Sequence, residues 1–353
     1  MKHKKRVGTL NAPSGKALPA GKRGRTAVKF AVILALALGS GLLSLMLGAV
    51  PIPAGEVFSA LRSGEASPYA NIVCNVRLPR TIAVAQAAVC LSVAGLLLQN
   101  VLKNPMASPS LLGVTSGAGL MALITFLLFS AGSGGLQLLP LTTFAGAMGA
   151  AVFIYLLAYR QGEGQGRLIL AGIAVSSMLN AGASLLTNLF PDKLVGMTGF
   201  LSGSFSGVTF RQVQMLAPYA LLAIGAALLF PPYLNVLVLG EDTARSLGMR
   251  VELVRMLALA VSALLSAGAV SAVGMLSFVG LIVPHIGRLL FGNNLRILYP
   301  ATAVLSITLV TICDLIARLV ILPAELATGV VMAVAGGPFF LWLLRSRSRE
   351  RID

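Results

Sequence analysis

Phe30-Ala-Val-Ile-Leu-Ala-Leu-Ala-Leu-Gly-Ser-Gly-Leu-Leu-Ser-Leu-Met-Leu-Gly-Ala-Val50 is a run of 21 residues without a charged side chain. As a helix rising 1.5 Å per residue it reaches about 32 Å, close to the hydrocarbon thickness of a bilayer. The composition extends that reading to the whole chain. Of its 353 residues, 57% are hydrophobic and 11% charged, with a mean hydropathy of +0.89; soluble domains carry about 25% charged residues. No soluble core can hide this much apolar surface, so lipid is the solvent for most of it. The run follows residues 1–27, a Lys-, Arg-, Gly- and Pro-rich stretch without periodicity, read as a disordered basic cytoplasmic tail. It is long for a secretory h-region, so it reads as an anchor, with a cleaved signal as the rival.

Further apolar runs follow at about Thr81–Leu102, Leu111–Ser130, Leu138–Tyr159, Leu168–Phe190, Gln212–Leu234, Val254–Val273, Leu276–Phe291, Leu298–Val320 and Leu326–Leu344. The expected fold is therefore all-α, a polytopic membrane protein with ten transmembrane helices. A transmembrane domain occupies 28–345, and 346–353 form a cytoplasmic tail. Residues 51–80 read as an outer loop, and the Gly- and Ser-rich 196–211 as re-entrant or interfacial. This topology puts 21 of the 27 Lys and Arg inside and six outside, which supports two cytoplasmic termini in the cell membrane. The net charge of +16 then belongs to the membrane rather than to nucleic acid, since no aromatics interleave with the basic residues to stack bases.

Reactive chemistry is sparse. The three cysteines, Cys74, Cys90 and Cys313, show neither disulfide nor metal spacing, and His3 and His285 cannot build a metal site between them. Gly15 and Gly21 are one residue too far apart for a phosphate loop, and Arg23 stands where Ser or Thr would follow Lys22. Asp314 is the one acid within a span. Arg318, four residues on, shares its helical face, which favours a self-neutralised pair over a proton relay. His285 reads as a structural residue. No catalytic, cofactor or metal site is expected.

Three polar features stand out against the apolar background. Leu239-Gly-Glu-Asp-Thr-Ala-Arg-Ser-Leu-Gly248 reads as a short inner helix, with Glu241 and Asp242 at its N-terminus and Gly248 as a left-handed cap. Such a segment, with Ala244 and Leu247 three apart, is a handle for a soluble partner. On the fifth span, Ser176 and Ser177 precede Asn180, Ser184, Thr187 and Asn188, which recur at helical spacing on one face. That stripe either lines a wet pathway or glues helices together. Finally, Arg77, Arg80 and Arg318 lie on the outer side against the positive-inside trend. They ask for an acidic partner unless they snorkel.

With these residues in view, the chain resembles the permeases of ABC importers for iron-siderophores, haem and vitamin B12, the FecCD type. The resemblance covers about residues 30–345. It rests on Arg77-Leu-Pro-Arg-Thr81, Gly95-Leu-Leu-Leu-Gln99, Asn104-Pro-Met-Ala-Ser-Pro109, Leu112-Gly113, Leu239–Gly248, Phe278-Val-Gly-Leu-Ile-Val-Pro-His-Ile286, Asp314-Leu-Ile-Ala-Arg318 and Gly336-Gly-Pro-Phe-Phe-Leu-Trp342. Two departures lie near the outer mouth: Phe200 where the family usually has Trp, and Glu325-Leu-Ala327 where it often has Glu-Leu-Pro.

The resemblance implies a type II ABC importer fold, a second permease subunit (a homodimer being expected) with the pathway on the two-fold axis, and a dimer of separate ATPase subunits below. It implies that Gly240, Glu241, Asp242, Ala244, Arg245, Leu247 and Gly248 dock into the ATPase. Arg77, Arg80 and Arg318 would receive acidic residues of an extracytoplasmic substrate-binding lipoprotein. Spans five and ten would line the pathway, and Asn104-Pro105 would lie by the inner gate. The expected cargo is an iron chelate, ferric siderophore or haem, with cobalamin as the alternative. An ion-coupled secondary transporter and a non-transporting scaffold are the rival classes.

Overall fold

The computed structural model describes residues 20–63, 68–129, 135–158 and 166–349, and among these it is helical, with no strand. The apolar runs become α1 (Ala20–Met46), α3 (Leu78–Val101), α4 (Val114–Leu128), α5 (Leu139–Ala158), α6 (Gly166–Leu189), α9 (Phe210–Leu229), α12 (Val251–Val273), α13 (Val279–Phe291), α14 (Leu295–Leu319) and α15 (Thr328–Arg349). Short helices connect them: α2 (Ala54–Ser63), α7 (Pro191–Leu194), α8 (Thr198–Ser202), α10 (Pro231–Val238) and α11 (Glu241–Ser246). Among the described residues, seven helical segments are long and apolar enough to cross a membrane, and Val114–Leu128, Val279–Phe291 and Thr328–Leu341 are shorter apolar helices. At 1.5 Å per residue, the 15 residues of α4 and 13 of α13 reach only about 20–22 Å, short of a ~30 Å core. Their length alone therefore does not make them full spans.

Three boundaries differ from the sequence expectation. Residues 20–27 are helical, continuing α1 outward, because adding turns to a nucleated helix is cheap; residues 1–19 of the expected tail lie outside the described residues. The expected outer loop 51–80 contains α2 and ends at Ile72, where a π-helical turn, Ile72–Arg77, runs directly into α3. Pro79 explains the turn. It has no N–H, and its ring clashes with the carbonyl four residues back, so the ladder widens just before it. The C-terminal helix runs on to Arg349, into the segment expected as a tail.

Helix α3 is the axis of the bundle, packed by α9, α12, α13 and α14. Small residues permit this. A Cβ on Gly95 would collide with the backbone of Gly280 on α13, and Gly117 of α4 meets Gly146 of α5 in the same way. Two polar side chains of this core bond across helices: Gln99 Nε2 donates to Gly280 O at 2.9 Å, and Ser262 Oγ of α12 donates to Ala94 O at 2.9 Å. Where the backbone leaves the helix within the bundle, its polar groups must still be paired. Met275 N donates to Phe200 O (3.0 Å), Ser204 N to Val273 O (3.2 Å) and Gly329 N to Gly203 O (2.9 Å). The segments after α8, before α13 and at the start of α15 thus satisfy one another. Residues 196–211, expected as re-entrant or interfacial, hold this junction.

Candidate functional site

The polar residues singled out in the sequence fall into three places. At the N-terminal end of α3, Arg77, Arg80 and Arg318 gather, with exposures of only 5%, 5% and 4%. Asp314, fully buried, is the hub for Arg80 and Arg318. Arg80 Nε and Nη2 donate to its carboxylate at 3.1 and 2.9 Å, Thr328 Oγ1 donates to it at 2.9 Å, and Arg318 Nε lies 3.1 Å away in an ion pair not aligned as a hydrogen bond. Arg80 Nη1 also reaches Glu325 Oε2 at 2.7 Å. Arg318 Nη2 donates to Ser44 Oγ at 2.7 Å, and Arg77 donates to the carbonyls of Leu45, Met46 and Val50. Four elements, α1, α3, α14 and the approach to α15, are therefore tied through one carboxylate. The Asp314–Arg318 pair follows from the i, i+4 spacing. Arg80, Glu325, Thr328 and Ser44 as its further partners lie too far off in sequence for any spacing rule to join them. Within the chain, then, the acidic partner of Arg80 and Arg318 is Asp314, with Glu325, whose side chain is 34% exposed, at the open edge.

The second place lies past the other end of α3. Gly240 (φ +117°) and Gly248 (φ +79°) flank α11 in backbone regions that L side chains rarely adopt. Met249 N donates to Ala244 O and Gly248 N to Arg245 O, both at 3.0 Å, which is the Schellman pattern the terminal glycine predicts. Ala244 is fully buried against the core, whereas Asp242, Thr243, Arg245, Ser246 and Leu247 are exposed. Only part of the expected handle thus faces outward; Ala244 anchors the helix instead. Glu241 turns inward as well. Its Oε1 accepts from Arg255 Nη2 at 2.7 Å and lies 3.6 Å from Lys103 Nζ, while Arg245 Nη2 is 3.9 Å from Oε2. Arg255 Nη1 also donates to Glu252 at 3.1 Å. Burial pulls the Glu241 carboxyl upward, but Arg255, by charge and hydrogen bond, and the charges of Lys103 and Arg245 outweigh it and hold it below the usual range. Asn104 and Pro105 form the turn beside Lys103, where Asn104 Oδ1 accepts from Met106 N at 2.9 Å. The roles of Lys103, Arg255 and Glu252 were not legible beyond their charge.

The third place is α6. Asn180, Ser184 and Asn188 are exposed, Ser176 and Thr187 half-buried. Ser176 Oγ lies 3.5 Å from Ser110 O, and Thr187 Oγ1 bonds back to Ser184 O at 2.9 Å. Among the described residues, nothing accepts from or donates to the side chains of Asn180, Ser184 and Asn188. A polar stripe on a membrane-length helix is thus left uncovered by the chain itself.

Comparison with known proteins agrees with this geometry. The model of the FecCD transport family matches residues 34–346. The chain is 31% identical over 330 residues to the Fe(3+)-citrate import system permease protein YfmE of Bacillus subtilis, covering 94% of this chain and 98% of that one. It is 34% identical over 313 residues to the Fe(3+) dicitrate transport system permease protein FecD of Escherichia coli, covering 89% and 96%. Its fold superposes with a TM-score of 0.79, at 27% identity and covering 91% and 99%, on a solved inward-facing structure assigned to a metal-chelate type ABC transporter. A multi-pass helical protein with this match over nearly its whole length belongs to the FecCD transport family of ABC transporter permeases.

Proposed function

We propose that this chain is the permease subunit of an ATP-driven importer for an iron chelate of the ferric-citrate or siderophore kind. The observation that carries the reading is the bare face of α6. Lipid offers no hydrogen bonds, so Asn180, Ser184 and Asn188 belong against water or another protein. A second permease subunit placing its own α6 opposite would give both, a pathway with neutral polar walls on the axis between the copies. Relatives that import ferric citrate and hydroxamate chelates support the cargo.

In this reading ATP is hydrolysed by a separate dimer of ATPase subunits at the inner face, where the exposed side of α11 docks. Both termini are cytoplasmic. The turn at Asn104-Pro105 borders the inner gate. At the outer face a substrate-binding lipoprotein docks over Arg77, Arg80 and Arg318. Because these arginines are sequestered in the chain alone, a docking carboxylate has to enter at the Glu325 edge and take over part of Arg80. The test is uptake of radiolabelled ferric citrate, and of a ferric hydroxamate, into proteoliposomes holding the permease with ATPase and binding protein. Uptake that requires ATP inside and binding protein outside supports the proposal. Uptake that continues without the ATPase, or is abolished by an ionophore alone, overturns it.

A further inference from the structure

Helix α11 is a short unit between two glycine joints, Gly240 and Gly248. Its hold on the rest of the chain is of two kinds. Ala244 packs apolar surface, which permits sliding and rotation. The Glu241 carboxylate is directional: it reaches Arg255 on α12 at 2.7 Å and Lys103, in the turn after α3, at 3.6 Å. These two cations stand at the ends of the two most buried apolar helical segments of the bundle. Lys103 itself adopts φ +44°, a conformation uncommon for a side-chain-bearing residue, so the turn is held rather than slack. Asn104 N, next to it, donates to Gln99 O at 3.1 Å and so ties the turn to α3. A push on α11 therefore has two polar routes to α12, through Glu241 to Arg255 and, at 3.7 Å, through Arg245 to Glu252. Its polar route to the α3–α4 turn runs through Glu241 alone.

We propose that Glu241 is a positioning residue for transport, one that transmits the movement of α11 to α12 and to the Lys103–Pro105 turn and does not itself contact the ATPase. The proposal rests on the ATP-driven reading above. It separates the segment into an outward set, Asp242, Thr243, Arg245, Ser246 and Leu247, that meets the partner, and an inward residue that carries the motion. A purely structural role does not account for the Lys103 arm. A half-exposed pair at 3.6 Å contributes little to stability, so its loss is read in coupling rather than in folding.

The experiment uses the permease in nanodiscs with its ATPase subunit. Spin labels are placed at Ser246→Cys on α11 and Met106→Cys in the turn, and the distance is read without nucleotide and in the ATP-vanadate state. With Glu241 present, the two labels should keep one narrow distance in both states. In Glu241→Gln and, independently, in Lys103→Glu, the ATP-vanadate distribution should broaden or shift by several ångströms while ATPase affinity stays within about twofold and the thermal unfolding midpoint moves by no more than about 2–4 °C. In proteoliposomes these variants should consume about tenfold more ATP per chelate moved. A narrow distance retained in both variants overturns the inference, as does a fall in ATPase affinity for Glu241→Gln that matches the loss of uptake, which would make Glu241 a docking contact. Failure of the unlabelled chain with Glu241 intact to bind its ATPase subunit would instead remove the ATP-driven reading, and this inference with it. Because Ser246 lies in the outward set, the ATP consumed per chelate by the unlabelled variants decides the case if the label at 246 itself weakens docking.

Discussion

Helices α3 and α6 are each 24 residues long, and both are apolar enough to cross a membrane. The most apolar stretch of the Ile72–Val101 segment that holds α3 is 78% buried within the chain, against 17% for α6. Both carry amides and hydroxyls. On α3 they face the chain's own interior: Gln99 Nε2 donates to Gly280 O, and Asn100 Nδ2 donates to Leu96 O at 2.7 Å and, more loosely, to the Tyr299 hydroxyl at 3.4 Å, while the amide oxygens of Gln86 and Gln99 are buried without a partner among the described residues. On α6 the amides of Asn180 and Asn188 point out of the chain. Apolarity identifies a span, but it does not say whether the span meets protein, lipid or water. The placement of small residues, and the fate of each polar atom, decide that.

The comparison can be broken from the α3 side first, where effects are largest. Replacing Asp314 with Ala leaves Arg80 of α3 and Arg318 of α14 buried without their carboxylate. Removing one partner of a buried ion pair costs about 3–5 kcal/mol. Thermal unfolding in detergent should show a large loss or no folded material, and an unchanged midpoint would mean the cluster is solvated. Next is Gly95→Ala, whose Cβ meets Gly280 backbone, against Gly182→Ala, whose Cβ meets Leu120 side-chain atoms no closer than 3.5 Å. Overpacking costs about 1–3 kcal/mol, while a mid-helix Gly→Ala at an open site gains about 0.5–1 kcal/mol. The first variant should lose stability and the second should not; equal losses would erase the distinction between the two helices.

On the α6 side, Asn180→Leu and Asn188→Leu should change the stability of the chain by no more than about 0.5 kcal/mol, as surface substitutions do. They should nonetheless cut chelate uptake severalfold. A stability loss comparable to Gly95→Ala would show that α6 is packed within its own chain. The smallest effect is the acid limb of Glu241. Its folded pKa lies below the ordinary value, so its contribution is complete above the unfolded pKa and is lost as pH falls through the folded one. A loss under about 1 kcal/mol is expected for so exposed a pair. Glu241→Gln should flatten that limb, and a limb that persists belongs to another carboxylate.

Local rules made much of this legible. The apolar runs predicted the long helices, Gly248 predicted the cap of α11, and the four-residue step from Asp314 to Arg318 predicted their pair. Each depends only on neighbours along one helix. The helical segment that holds α3 begins before the expected Thr81, because a proline in the Arg77–Thr81 stretch reads as a break, whereas the π-turn Ile72–Arg77 leads straight into α3 at Leu78. Arg80 and Glu325 stand 234 and 11 residues from Asp314 in opposite directions, and nothing in a single sequence brings them together. Ala244 looked like part of an outward face because three-residue spacing to Leu247 describes a helix but not which neighbours cover it. The stripe on α6 was visible, but that its own chain leaves it bare was not, because spacing along one helix does not say which neighbours cover it.

The most direct test of the whole account is the wetness of that stripe. Ser184→Cys, in a chain with Cys74 replaced by Ser and Cys90 and Cys313 left buried, is exposed to a membrane-impermeant methanethiosulfonate in proteoliposomes with the ATPase and binding protein present. The account predicts that Cys at 184 is labelled from water, that the label blocks chelate uptake, and that bound chelate or a change of nucleotide state alters the labelling rate. Labelling only by a lipid-soluble maleimide, with uptake intact, would put α6 against lipid and contradict the claim that it walls the pathway.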